Sequence, residues 1–527
     1  MVKGSEAAKT EDKLSAMQRI IFIFLIFSFS LFLNLWNNDF PITYHIDEPK
    51  KTDFIINWKQ DFHHPILMLN SIRLANLFFR FKDKQKVVEL GRWVMAIIGT
   101  LGIIIFFFLV RELLPHPYDL ITTLLLAGSP ILVVHSHYVK EDIFLNSFTL
   151  LSLLAYFSFL RSPNLTSSFF LGFSTGLAFS SHFKSILLLP LFLLGPFLFR
   201  PENRWLLYRR LFSLIPIVTW FFLAINYPLL FETSTLNSGI NHDLHNLDGG
   251  HAPRAYPLQH YFLYHLFNSI FPGITPPLAI IGLFAIFFFY SRWSKLGFED
   301  RFLLLYTTLF YFAVELFPLK PDADCMRYII PVVPGFIYFA CKGFCQLQLY
   351  LQQVKWKILG WVLFSIVIVF SLQRSIRLIY HINRDTRARV DELIALRDAK
   401  TFFGYYAGKR IDGWVYDLNL SLLRRKNYKY VVVSSCTFDQ YKYTALSGKQ
   451  PKHVYRRAEV IKRLLFNPYE EIKPQYISFG YSNPTIRIVE ISWAVDNLFE
   501  ILIPNFSIGI RSVRFIRRLF EKTFPIF

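Results

Sequence analysis

Apolar runs close to the ~20 residues that cross a bilayer as a helix recur along roughly the first 370 of the chain's 527 residues. No other feature restricts the fold as much. They lie near 18–35, 92–110, 119–136, 144–160, 167–181, 185–199, 211–230, 275–290, 302–318, 328–345 and 358–373, about eleven in all. Fifty-eight phenylalanines and a 53% hydrophobic composition are more than a soluble core of this size would use. The reading is a mainly α fold: a polytopic transmembrane helical bundle over 18–374. The short segments between 167 and 199 are read either as spans or as re-entrant helices.

The net charge is +20, but the basic residues fall between apolar runs, which suits anionic headgroups and membrane orientation rather than nucleic acid. With residues 1–17 inside, the stretches on that side carry sixteen Lys or Arg; the outer loops after the first carry five, Lys140, Lys184, Arg254, Lys320 and Arg327. The long first outer loop, which translocates largely regardless of charge, carries eight. The first apolar run follows Lys9, Lys13 and Arg19 without a small-residue cleavage site, and reads as an uncleaved signal anchor. Eleven crossings put the C-terminal region outside. Cys341 and Cys345 lack a second ligand pair, which argues against zinc.

Two outer loops are long. The first, 36–91, contains an amphipathic stretch from Pro65 to Phe79 that predicts a helix lying on the membrane surface. The second, 231–274, holds His242, His245, His251, His260 and His265. From 385 to 492 a charged helical stretch precedes strand patterns at Tyr430–Ser434 and Thr485–Ile491, predicting a small α/β outer domain. Residues 493–527 form a basic amphipathic tail.

Two adjacent acids, Asp47 and Glu48, follow the first apolar run in His45-Ile46-Asp47-Glu48-Pro49. A carboxylate held partly away from water gains proton affinity and can take a proton from a hydroxyl. The competing reading is a helix N-cap, with Pro49 at the first helical position and the acids favouring the dipole. Asp142, and secondarily Glu141, open the fourth apolar run on the same predicted face. Two acids from separate loops can share a metal, orient an acceptor or hold a basic partner. Arg92, Lys184, Lys320 and Arg327 sit at helix ends on that face; such cations either snorkel to headgroups or bind a phosphate. His63 and His64 are candidates for an acceptor-orienting or metal role, and dependence on a divalent metal stays open.

The order of these short motifs resembles the GT-C type integral-membrane glycosyltransferases. The nearest likeness is to the bacterial protein O-mannosyltransferase and aminoarabinose-transferase group. The resemblance runs from His45-Ile46-Asp47-Glu48-Pro49-Lys50 through Asp61-Phe62-His63-His64-Pro65, Gly91-Arg92, His135-Ser136-His137-Tyr138 and Lys184. It continues in Arg327-Tyr328-Ile329-Ile330-Pro331 and ends at Asp385-Thr386-Arg387. A histidine pair stands where many members have a proline pair. The resemblance implies inverting transfer of a sugar from a polyprenyl-phosphate donor to a hydroxyl on a glycan, lipid or protein acceptor. Asp47 would be the general base, and Arg92, Lys184, Lys320 or Arg327 would hold the donor phosphate. A transporter or flippase of lipid-linked saccharides is the competing class. It expects charges near the bilayer midplane, whereas these acids sit at helix ends.

Overall fold

The computed structural model describes residues 16–60, 62–199, 204–232, 234–239, 241, 262–316, 323–382, 385–395, 397, 399–415, 418–438, 452–467, 469–474, 479 and 484–491. Lys320, Arg254, most of the second long loop and the 493–527 tail lie outside the described residues.

The membrane part is built from α1 (Ala16–Leu35), α2 (Asp47–Asn57), α3 (Leu67–Phe79), α4 (Lys84–Arg111), α5 (Tyr118–Ala127), α6 (Pro130–Ser136), α7 (Glu141–Arg161) and α8 (Leu165–Ser181). It continues through α9 (Leu188–Phe199), α10 (Arg204–Phe212), α11 (Ile215–Ile225), α12 (Pro276–Ser291), α13 (Phe298–Leu316), α14 (Val333–Tyr350) and α15 (Val354–His381). Each expected apolar segment coincides with one of these helices or with a pair of them. Length separates them. Among the described residues, five helices are long and apolar enough to cross a membrane, and seven spans result if each of two bent pairs counts as one. The bends have local causes. Pro130 opens α6 after a 48° break, and Pro276 opens α12 after a 114° break.

Local chemistry sets the boundaries near the candidate residues. The Asp83 side chain accepts from the Lys86 N–H and starts α4, and Arg111 lies in its last turn, where the dipole favours a cation. Glu141 and Asp142 occupy the first turn of α7 and Arg161 its last. Nearly every side chain of α7 is buried, and it packs against both α4 and α8. Outward-facing Phe169, Trp220, Phe284, Phe287 and Val369 give the bundle the apolar exterior that lipid requires.

The loop between α1 and α4 is structured. Helix α2 ends where Trp58 turns left-handed and returns its N–H to the Phe54 carbonyl. In α3, Met68, Leu69 and Ile72 face the protein while Leu74, Leu77 and Phe78 are exposed, as an interfacial helix requires. Gly91 on α4 is needed for close approach: a Cβ there would lie 2.8 Å from Val139 Cγ2.

After α15 come α16 (Thr386–Ala395) and a four-stranded sheet of β1 (Thr401–Phe403), β2 (Tyr430–Ser434), β3 (Tyr469–Ile472) and β4 (Ile486–Glu490), in the order β1-β2-β4-β3. The β1–β2 pair is parallel and the other two pairs antiparallel. Helix α17 (Lys452–Phe466) buries Ala458, Ile461 and Leu464 with Val431, Val433 and Val489 of the sheet.

Candidate active site

Helix α2 and the start of α7 meet end to end, and their charges interlock. Asp47 pairs with Lys140, the residue just before α7, and Lys51, one turn along α2, pairs with Glu141. The spacing of four along α2 puts Asp47 and Lys51 on one face, and Lys140 and Glu141 meet them in register. One turn of charged residues from each helix is thus fixed against the other.

Asp142 faces a different set. Its carboxylate lies 3.5 Å from Arg327 Nη1 and 3.9 Å from Lys184 Nζ. These two cations share the Tyr328 ring, at 3.7 Å for Lys184 and 5.4 Å for Arg327. Three expected residues from distant segments, Asp142, Lys184 and Arg327, are therefore gathered in one place. Lys184 is positioned by the turn after α8, where the His182 ring nitrogen accepts its backbone N–H.

Glu48 and Arg92 are also brought together, and both are fully buried. Arg92 Nε and Nη2 hold the two Glu48 oxygens at 3.1 and 2.6 Å. Its remaining N–H groups reach the carbonyls of Asn38, Phe40 and Pro41, and the guanidinium lies 3.5 Å from the Phe40 ring centroid. The Val139 N–H adds a third donor to Glu48, 3.1 Å away. This pair joins the α1–α2 turn, α4 and the approach to α7.

Exposure distinguishes the four acids. The side chain of Asp47 is 37% exposed, against 0% for Glu48, 6% for Glu141 and 3% for Asp142. Asp47 alone of the four is open to a substrate.

Histidines line the inner side of this charge cluster. The rings of His64 and His182 stand 4.5 Å apart, and His45 packs 5.1 Å from Tyr138. Burial holds His45, His64 and His182 below the ordinary imidazole range, His45 and His182 well below it. Nearby lysines and Arg327 push in the same direction, while Glu141 and Asp142 push His64 the other way without overcoming its burial. They are neutral at pH 7, so His64 would serve as a hydrogen-bonding group rather than a cation. His64 Nδ1 is buried with no hydrogen-bond partner among the described residues. His63 lies beside it, partly buried. Among the described residues no three His, Cys, Asp or Glu side chains form a metal-holding group.

Sequence reasoning missed Lys51, Lys140 and His182 as site residues. A signal existed for Lys140, which is adjacent to Glu141 and Asp142 in a run of three charges at a helix mouth. For Lys51 the signal was its place one turn after Asp47. Nothing in the sequence pairs His182 with His64.

Residues 63–229 match the family model described as dolichyl-phosphate-mannose-protein mannosyltransferase. No curated protein sequence matches the chain. Solved structures do match. One is the archaeal oligosaccharyltransferase AglB from Archaeoglobus fulgidus in complex with an inhibitory peptide and a dolichol-phosphate. It is 13% identical with a TM-score of 0.51, over 89% of this chain and 75% of that one. Another is ArnT from Cupriavidus metallidurans bound to undecaprenyl phosphate, 12% identical with a TM-score of 0.50, over 91% of this chain and 99% of that one. The apo state of the same ArnT gives 13% identity and a TM-score of 0.51 over the same shares. The chain resembles the GT-C type integral-membrane glycosyltransferases and has their multi-pass helical fold with a small C-terminal sheet.

Proposed function

We propose that the chain transfers a sugar from a polyprenyl-phosphate carrier to an acceptor hydroxyl, with inversion at the anomeric carbon. The relatives in structure whose names record a dolichol-phosphate or undecaprenyl phosphate support the carrier. The N-terminus lies inside, and the charge cluster and C-terminal domain lie on the outer face, as the excess of basic residues in the inner loops favours.

The observation that carries the reading is the unequal exposure of the four clustered acids. Asp47 is the general base, because it alone combines access to an acceptor with a place among buried charges. Asp142 orients the reactants through Lys184 and Arg327. Those two cations, with Lys320 from the adjacent undescribed segment, hold the donor phosphate. Arg92 and Glu48, grouped by sequence with the phosphate cations and the catalytic acids, spend their polar atoms on each other and on backbone. Their role is to hold α2 in place. The neutral His64, beside His63, orients the acceptor hydroxyl.

The charge count fits a phosphate diester. Among the described residues the ion-paired set comprises Asp47, Glu48, Glu141 and Asp142 against Lys51, Arg92, Lys140, Lys184 and Arg327, one positive charge in surplus before Lys320 is counted. A sugar phosphodiester carries one negative charge. The leaving phosphate is a stable anion, so fixed cations rather than a general acid suffice to stabilise it. Purified protein in liposomes containing a radiolabelled polyprenyl-phosphate sugar tests this. Transfer of label to a hydroxyl acceptor is the expected result, and flipping of the lipid without transfer would contradict it.

A further inference from the structure

In the structure the Asp47 carboxylate is engaged by Lys140, and that ion pair must open before the carboxylate is free to take a proton from the acceptor. We propose that Lys140 carries its ammonium from Asp47 to the leaving phosphate during sugar transfer, so that the base is released only as the leaving group forms. This rests on the polyprenyl-phosphate reading above.

Three features of Lys140 support it. Its side chain is 3% exposed, so the ammonium cannot retreat to bulk water and must exchange one anion for another. It precedes the first turn of α7 on extended backbone and makes no capping hydrogen bond through its side chain, so moving it does not unmake the helix start. It is a lysine, whose flexible four-carbon stem carries a compact charge; the buried arginine that holds Glu48 is fixed by a fork of donors instead. The other acids of α7 have their own cations. Glu141 is held by Lys51, and Asp142 by Lys184 and Arg327.

The charge movement of the reaction drives the exchange. The acceptor oxygen forms its bond to the anomeric carbon while the bond from that carbon to the phosphate oxygen breaks. That electron pair goes to the phosphate, which changes from a singly charged diester to a monoester nearing two charges. The hydroxyl proton goes to Asp47, which becomes neutral. Lys140 thus loses its partner on one side as a stronger one appears on the other, and the interaction strengthens toward the transition state.

The test is binding of a polyprenyl monophosphate, the product lipid, to full-length protein in phosphatidylcholine nanodiscs. Asp47→Asn removes the competitor for Lys140 and should tighten binding by about 3- to 10-fold. Lys140→Met should weaken it by about 10-fold or more. The Asp47→Asn/Lys140→Met double variant, which buries no lone charge, should bind like Lys140→Met. Equal binding by wild type and Asp47→Asn, or a gain that survives in the double variant, would overturn the exchange. Failure of wild type to bind the lipid would instead overturn the donor reading on which it rests. A second arm uses phosphatidylglycerol without the polyprenyl lipid. A gain by Asp47→Asn there would assign Lys140 to any anionic headgroup and overturn its link to the leaving group.

Discussion

Arg387, at the start of the C-terminal domain, donates from Nη1 to the backbone carbonyl of Tyr44, 2.7 Å away and 343 residues earlier in the chain. Both side chains are buried, and the guanidinium lies 3.9 Å from the Tyr44 ring centroid. Asp385 neutralises Arg387 from the same turn. Tyr44 is three residues before Asp47, so this contact ties the domain to the segment that presents the candidate base. Thr43 Oγ1, donating to the Gly408 carbonyl at 3.0 Å, is a second tie.

Replacing Arg387 by Met leaves the Asp385 carboxylate buried without the guanidinium that neutralises it. Breaking a buried pair on one side typically costs ~3–5 kcal/mol. The variant is expected to melt several degrees lower than wild type by intrinsic fluorescence in detergent. Asp385→Asn combined with Arg387→Met should recover part of the loss.

The adjacent acids are expected to behave as opposites. Glu48→Gln strips the charge partner from a fully buried arginine and should destabilise by ~3–5 kcal/mol. Asp47→Asn also strips the carboxylate from a buried cation, Lys140, but one side of that pair is open to water, so it should cost less, about 1–2 kcal/mol. Melting of the two variants side by side checks this, and similar losses would refute the division of roles.

Stability should depend on pH through the buried histidines. His45, His64 and His182 have proton affinities lowered by folding, so below the unfolded-state value of ~6.5 the unfolded chain binds more protons than the native one. Stability is then complete above that pH and falls as the pH drops below it. Melting temperatures from pH 8 to 5 should show a plateau followed by a decline. His64→Asn with His182→Asn should flatten the decline.

Arg327→Gln or Lys184→Met should weaken binding of a polyprenyl phosphate by about 10-fold, the loss expected for one charge-assisted hydrogen bond. The Asp142→Asn variant frees the two cations of their carboxylate and should bind at least as tightly as wild type. Isothermal titration in nanodiscs would measure all three.

The bundle was legible because lipid demands long apolar helices, and their hydropathy survives any detail of packing. The strands at 430–434 and 486–490 were legible from β-branched runs that the sheet buries. What the sequence left ambiguous was span against half-length helix. The 114° turn before Pro276 and the 17-residue length of α8 depend on which neighbours cover the helix ends. In the site, acids and cations at helix mouths were visible as types but not as partners. Arg92 and Lys184 look alike in sequence, each a cation at a helix end. One is enclosed by Glu48 and three carbonyls, the other lies near Asp142 over a tyrosine ring. Only the fold separates them.

The account turns on Asp47 as the base, so the most direct measurement is the single-turnover rate of sugar transfer by Asp47→Asn in proteoliposomes, with polyprenyl-phosphate binding measured in parallel. Loss of a general base predicts a rate lower by about 10²–10⁴ with lipid binding retained or tighter. Transfer at the wild-type rate by a folded Asp47→Asn protein would contradict it.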